Sequence, residues 1–240
     1  DTAIELMDAG IRKILLEKPA GLTAREINVI CKKAKETNTQ VFVGYNRRFY
    51  SSVLKALEMI KEDGGVQSFN FEFTEWGDEI TKQIKNSYVL KNWFLANSSH
   101  IVDMAFYLGG KPKELNSYTA GGNAWHPTAT IFSGSGITQT RALFSYQANW
   151  EAPGRWGVEV LTRKHRFIFR PLEKLKIQKL NSVTTEDVTI DDQLDKDFKP
   201  GLYLQTKYFL KEDPNAAFLD IHEHYENVIT YYEKILGPAK

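Results

Sequence analysis

Residues 9–23 read AGIRKILLEKPAGLT, and residues 40–45 read QVFVGY. Within the first stretch, KILLEKP is a short apolar run closed by charge and proline, which predicts a buried strand. QVFVGY is a second run of the same kind. The residues around them are helical in pattern. DTAIELMDAG carries Ile4, Leu6 and Met7 at helical spacing, and Gly10 stands where a helix would stop. Thr23 and Glu26 form a candidate capping box. The helix behind it is expected to run to about Thr37, with Ile27, Ile30, Cys31 and Ala34 on one face. Helix, strand, helix, strand with short links predicts a parallel α/β sheet. Two strands do not make such a sheet, which needs cover on both faces and further neighbours. The segment therefore reads either as a small α/β appendage or as the back half of a doubly wound domain.

From residue 51 the texture changes. Residues 51–63 place Val53, Leu54, Leu57 and Ile60 at helical spacing, and Ser68–Trp76 alternates like a strand. A helix is expected over Ser98–Leu108, capped by Asn97 or Ser98 and stopped by Gly109 and Gly110. Between Lys113 and Ile190 strand signals dominate, close enough together to predict an antiparallel sheet. Helices return at about Leu202–Lys211 and Ile221–Leu236, and residues 191–200 read as a solvated, charged linker. About four helices face many aromatic-bearing strands, so one face of the sheet is expected to stay open and to meet a second copy.

Composition narrows the classes of function. The 240 residues are 42% apolar and 25% charged, ordinary for a globular protein. A net charge of +1, with Lys and Arg scattered, gives no basic tract for nucleic acid. No apolar run approaches membrane-spanning length. The one cysteine, Cys31, allows no internal disulfide, which points to a reducing cytoplasm as the simpler compartment.

Three motifs carry chemistry. Glu17-Lys18-Pro19 stands at the carboxyl end of the first expected strand, outside which ligands bind in open α/β sheets. A lysine partly desolvated there has a lowered pKa suited to proton transfer. Asn46-Arg47-Arg48-Phe49 follows the second strand, and Ser98-Ser99-His100-Ile101-Val102-Asp103 opens a later helix with His100 and Asp103 on one face. Together these stretches, in this order, resemble the second half of the Rossmann domain and the following domain of the Gfo/Idh/MocA oxidoreductases, the family of glucose–fructose oxidoreductase and inositol dehydrogenase. The match is close over residues 1 to about 50, and the order of elements continues it to the end of the chain.

The resemblance implies a fold in two parts. Residues 1–50 are expected to be a partial Rossmann unit, second half only, and residues 51–240 an α+β domain: a predominantly antiparallel open sheet with helices on one face, serving substrate binding and oligomerisation. It implies a truncated chain whose complete form transfers hydride between NAD or NADP and a carbon of a sugar, sugar nucleotide or cyclitol, the fragment being inactive alone. Lys18 and His100 take the catalytic roles. Glu17, Lys18 and Pro19 lie beside the cofactor, and the Lys18–Pro19 peptide is expected to be cis. Arg47, Arg48, Asn97 and Asp103 contact substrate. Arg47 has a second reading, as a surface arginine paired with a helix carboxylate. No metal is implied.

The sequence departs from the family in three places: Ser51 replaces the proline often seen after N-x-R-F, the usual glycine cluster before the histidine is absent from NWFLANSSH, and a carboxylate is missing. Many members carry Asp four residues before the histidine, and here the residue is Ala96. Two readings follow: a divergent enzyme relying on Lys18 and His100, or a non-catalytic sugar-binding or assembly protein of the same fold. Other signals are set aside. G-x-G-x-x-G does not occur; Gly134-Ser135-Gly136 reads as a hairpin turn. His222 and His224 are expected at the surface, on different sides of their helix. Trp125, Trp150 and Trp156 are expected in sheet packing or subunit contact.

Overall fold

In the computed structural model, residues 2–213 and 216–237 are described. α1 spans Thr2–Asp8 and points Ala3 and Met7 inward, one turn apart, while Leu6, expected inside, is exposed. Gly10 ends the segment at φ +91°. The two quoted runs form β1 (Lys13–Leu16) and β2 (Gln40–Val43), paired parallel with Ile14 opposite Val41. Between them α2 (Ala24–Glu36) buries the expected stripe of Ile27, Ile30, Cys31 and Ala34. Its cap differs from a reciprocal box by one residue. Thr23 Oγ1 accepts from the Glu26 amide at 3.2 Å, but the Glu26 carboxylate accepts from the Leu22 amide at 2.6 Å.

After a 3₁₀ turn at Asn46–Phe49 comes α3 (Ser51–Glu62), then β3 (Ser68–Glu72). Two short helices that the sequence reading missed follow: α4 (Gly77–Gln83) and α5 (Ser87–Lys91). A π-helical turn at Phe94–Ser98 then runs straight into α6 (Ser99–Gly109). The expected side-chain cap at Asn97 or Ser98 is therefore not made. Ser98 already has helical φ −62° and ψ −24°, and both side chains donate to Glu75 instead.

Seven more strands follow: β4 (Pro112–Ala120), β5 (Ile131–Thr138), β6 (Leu143–Asn149), β7 (Gly157–Leu161), β8 (His165–Phe169), β9 (Lys176–Lys179) and β10 (Thr185–Asp187). With β3 they form one sheet in the order β10-β9-β8-β7-β3-β6-β5-β4, antiparallel throughout except for the parallel pair β3–β6. Side chains alternate across it. Phe69, Phe71, Phe144, Tyr146, Val158 and Phe167 point into the core, where Phe106 of α6 meets Phe144 edge-on at 5.2 Å. On the other face Tyr118 and Leu143 are 75% and 61% exposed. Gly134 and Gly136 lie within β5, not in a turn. A Cβ at Gly134 would meet the Tyr146 hydroxyl at 2.3 Å, and one at Gly136 would meet the Glu114 carbonyl at 2.0 Å, so close approach of neighbouring strands selects glycine.

Residues 191–200 are also not a free linker. They hold α7 (Gln193–Asp197), and Asp195 accepts from the amides of Ser51 and Gly201, both at 2.8 Å. The chain ends in α8 (Leu202–Lys211), β11 (Leu219–Asp220), α9 (Ile221–Asn227), a π turn at Val228–Tyr232 and α10 (Glu233–Leu236). β11 adds antiparallel to β2, and α9 packs on α2. The small sheet, β1-β2-β11, thus takes its third strand from residues far beyond the boundary expected at residue 50. α6 lies on β3 and β7, and α10 lies on β4 and β5, so both cover the core face of the large sheet.

Candidate functional site

Glu17, Lys18 and Pro19 follow β1 at its carboxyl end, and the Lys18–Pro19 peptide is cis, as the resemblance implied. The imidazole Nε2 of His224 bonds the Pro19 carbonyl at 2.9 Å, so this histidine is buried rather than at the surface, while its neighbour His222 is exposed. The Lys18 ammonium is half-buried and donates to the carbonyl of Ala96 at 2.5 Å. Burial, and next the Arg47 charge, lower its pKa from 10.5 to about 8, against the smaller pull of Glu17 and Glu75. At neutral pH an appreciable fraction of this lysine is deprotonated, which an exposed lysine would not be.

His100 sits in the first turn of α6 with Tyr45 edge-on at 5.8 Å. Burial foremost, then the charges of Arg47, Lys18 and Lys199, hold it well below the usual histidine range. It is a neutral imidazole, and its Nδ1 is buried without a hydrogen-bond partner. Lys18 and His100, from two different elements, thus share one electrostatic neighbourhood.

Sequence reasoning missed the carboxylate of this neighbourhood. Glu75, 2% exposed, accepts from Ser98 Oγ at 2.5 Å, Asn97 Nδ2 at 2.7 Å and Trp93 Nε1 at 2.9 Å. Burial raises its pKa, and the three donors pull it back. By gathering Asn97 and Ser98 it fixes the π turn whose Ala96 carbonyl holds Lys18. A signal was available: Phe69, Phe71, Phe73 and Glu75 stand at strict alternation, which puts the glutamate on the inward face.

The four expected substrate contacts divide. Arg48 and Asp103 hold each other through two parallel bonds, Nε–Oδ2 at 2.9 Å and Nη2–Oδ1 at 2.7 Å, and are 8% and 2% exposed. They border a cleft of about 180 Å³ with Tyr107 and Glu223, to which Lys18 and His100 do not contribute. This pair joins the turn after β2 to α6. Asn97 is engaged by Glu75. Arg47 lies over the rings of Trp156 at 4.9 Å and Tyr50 at 5.9 Å. Among the described residues it makes no ion pair, so the surface pairing weighed for it is not formed, and its Nε is buried without a partner.

Trp150 is a core side chain, stacked on Trp125 at 5.7 Å. Among the described residues no cluster of His, Cys, Asp and Glu is placed to hold a metal, and no helix is long and apolar enough to cross a membrane.

The small parallel sheet followed by an open, largely antiparallel sheet is similar in fold to solved oxidoreductases of the Gfo/Idh/MocA type. No family model matches the sequence, and no curated protein matches it. Among solved structures, UDP-N-acetylglucosamine 3-dehydrogenase from Acidithiobacillus ferrooxidans superposes with a TM-score of 0.71 at 13% identity, over 98% of this chain and 72% of that one. An inositol dehydrogenase homolog from Azotobacter vinelandii, complexed with NADH and myo-inositol, gives 0.72 at 16%, over 98% and 71%. Levoglucosan dehydrogenase in complex with NADH and levoglucosan gives 0.71 at 18%, over 94% and 70%. At such identity the likeness is one of fold, and the chain spans about seven tenths of each neighbour.

Proposed function

We propose that this chain carries the substrate side of an NAD(P)-dependent oxidoreductase that moves hydride to or from a hydroxyl-bearing carbon of a sugar, sugar nucleotide or cyclitol. The observation that carries the reading is the pairing of a lysine with a pKa of about 8 and a neutral, buried histidine in one neighbourhood at a strand's carboxyl end. The solved neighbours named above are dehydrogenases of a sugar nucleotide, a cyclitol and an anhydrosugar.

The residues fit one edge of a nicotinamide site. The turn at Glu17–Pro19 offers a half-buried ammonium and lies near His100, whose Nδ1 lacks a partner. The glycine motif that would hold a pyrophosphate does not occur in the sequence. The cofactor, when bound, supplies the hydride chemistry. The chain's own residues position the substrate and move the proton. Lys18, held by Ala96, takes the proton from the reacting hydroxyl in oxidation or returns it in reduction. His100, too weakly basic to be the proton store, orients that hydroxyl by a hydrogen bond from its neutral ring. The uncovered face of the large sheet supports self-association of this domain.

The rival, a non-catalytic sugar-binding protein, is favoured by Ala96, which supplies no side-chain carboxylate. Nicotinamide reduction by the protein with its cofactor-binding part present, across a panel of sugars and cyclitols, separates the two: turnover supports the enzyme, and binding without turnover supports the rival.

A further inference from the structure

Two guanidinium groups share one indole. Arg47 lies over Trp156 at 4.9 Å, and Arg155 lies over the same ring at 5.3 Å and over Trp76 at 5.2 Å. Among the described residues neither side chain is in an ion pair, and Arg47 Nε is buried with no acceptor. Two carboxylates act on Arg47 without pairing with it: Glu75 accepts three side-chain donors, and Glu173 is exposed. Arg155 opposes the charge on Arg47. Stacking on an indole offsets only part of the cost of burying a guanidinium without an acceptor. Two guanidinium groups held close together, neither in an ion pair among the described residues, are what a site for an anion requires.

We propose that Arg47 and Arg155, braced on Trp156, form an anion subsite that binds a carboxylate or phosphate group carried by the substrate. The substrate is then an acidic sugar: a hydroxyl at Lys18 and His100, and an oxyanion at the paired arginines. Arg47 links the two ends, since its charge acts on both Lys18 and His100. The planar guanidinium fork suits a carboxylate or phosphate edge, which a lysine would meet only as a point charge. Arg155 is exposed and Arg47 half-buried, so solvent reaches the pair. The assignment of the substrate's hydroxyl end rests on the oxidoreductase reading; the anion subsite itself is tested by binding alone.

The test is calorimetry on the full chain at low salt with four probes: a neutral hexose, the corresponding uronate, the corresponding hexose phosphate, and inorganic phosphate. The expected result is tighter binding of the uronate or the hexose phosphate than of the hexose, by on the order of ten- to hundredfold. Which of the two binds tighter identifies the anion as carboxylate or phosphate. Arg155→Gln, at an exposed position, and Arg47→Gln each remove that advantage, while Lys18→Met keeps it. Equal binding of the hexose and both acidic sugars overturns the proposal. So does an advantage that survives both arginine substitutions, one that disappears with Lys18→Met alone, or binding of inorganic phosphate that neither arginine affects. If the arginine-dependent advantage is found but Lys18→Met leaves turnover unchanged, the subsite stands and the assignment of Lys18 to proton transfer falls.

Discussion

The Lys18 ammonium donates to the backbone carbonyl of Ala96 at 2.5 Å, so the position where the family resemblance leads to an aspartate contributes its main chain rather than a side chain. A carbonyl orients the ammonium without adding a full negative charge. Burial therefore dominates and leaves the pKa at about 8. Ala96→Asp restores a charge beside the ammonium and is expected to raise that pKa by about one to two units. The check is the pH dependence of Lys18 acylation, followed by mass spectrometry of the labelled peptide. An unchanged titration would show that position 96 does not govern this lysine.

Arg48 and Asp103 hold the turn after β2 to α6. Breaking a buried pair leaves an uncompensated charge, so Asp103→Ala is expected to cost about 3–5 kcal/mol in denaturant unfolding. Replacing both partners, as in Arg48→Met with Asp103→Leu, should recover most of that loss. A loss below about 1 kcal/mol for Asp103→Ala would contradict a structural role.

The behaviour of these residues shows how far the sequence could be read. The quoted strands, the buried stripe of α2 and the run of antiparallel strands were legible, because hydrophobic period reports local geometry directly. The motifs named Lys18 and His100, and the charge of Lys18 acts on the His100 ring. Partner choice was not legible. That Arg48 would turn to Asp103, or Asn97 to Glu75, depends on which elements pack together in three dimensions. His224 misled for the same reason: alternation along its helix was read correctly, but the side meeting Pro19 is closed over by the turn after β1. The two glycines of β5 read as a turn in the sequence, because only the rings and carbonyls of neighbouring strands explain them.

His224 also makes stability depend on pH. Burial foremost lowers its pKa from 6.5 to about 4; the Pro19 carbonyl opposes the shift and Arg48 adds slightly to it. Between those values the unfolded chain binds more protons than the folded one, so this contribution to stability falls as pH drops from 6.5 through 4. Its full size is on the order of 3 kcal/mol. His224→Gln can keep a donor towards Pro19 and does not titrate, so its unfolding free energy should vary less across that window. Parallel curves for the two proteins would refute the assignment.

Self-association is expected through the uncovered face of the large sheet, where Leu143 of β6 is 61% exposed. Leu143→Glu places a charge on that face, at the start of β6, and should shift light scattering from oligomer towards monomer without altering circular dichroism. A wild-type chain that is monomeric at high concentration would dispose of the idea.

The most direct measurement is the steady-state rate of nicotinamide reduction by the protein with its cofactor-binding part present, with its best sugar, cyclitol or acidic sugar substrate, compared with Lys18→Met. The account predicts a kcat lower by roughly 10²–10⁴-fold in the variant, and a wild-type rate that rises with pH through about 8 as Lys18 loses its proton. An undiminished rate in Lys18→Met, or a wild-type rate indifferent to pH in that range, would contradict it.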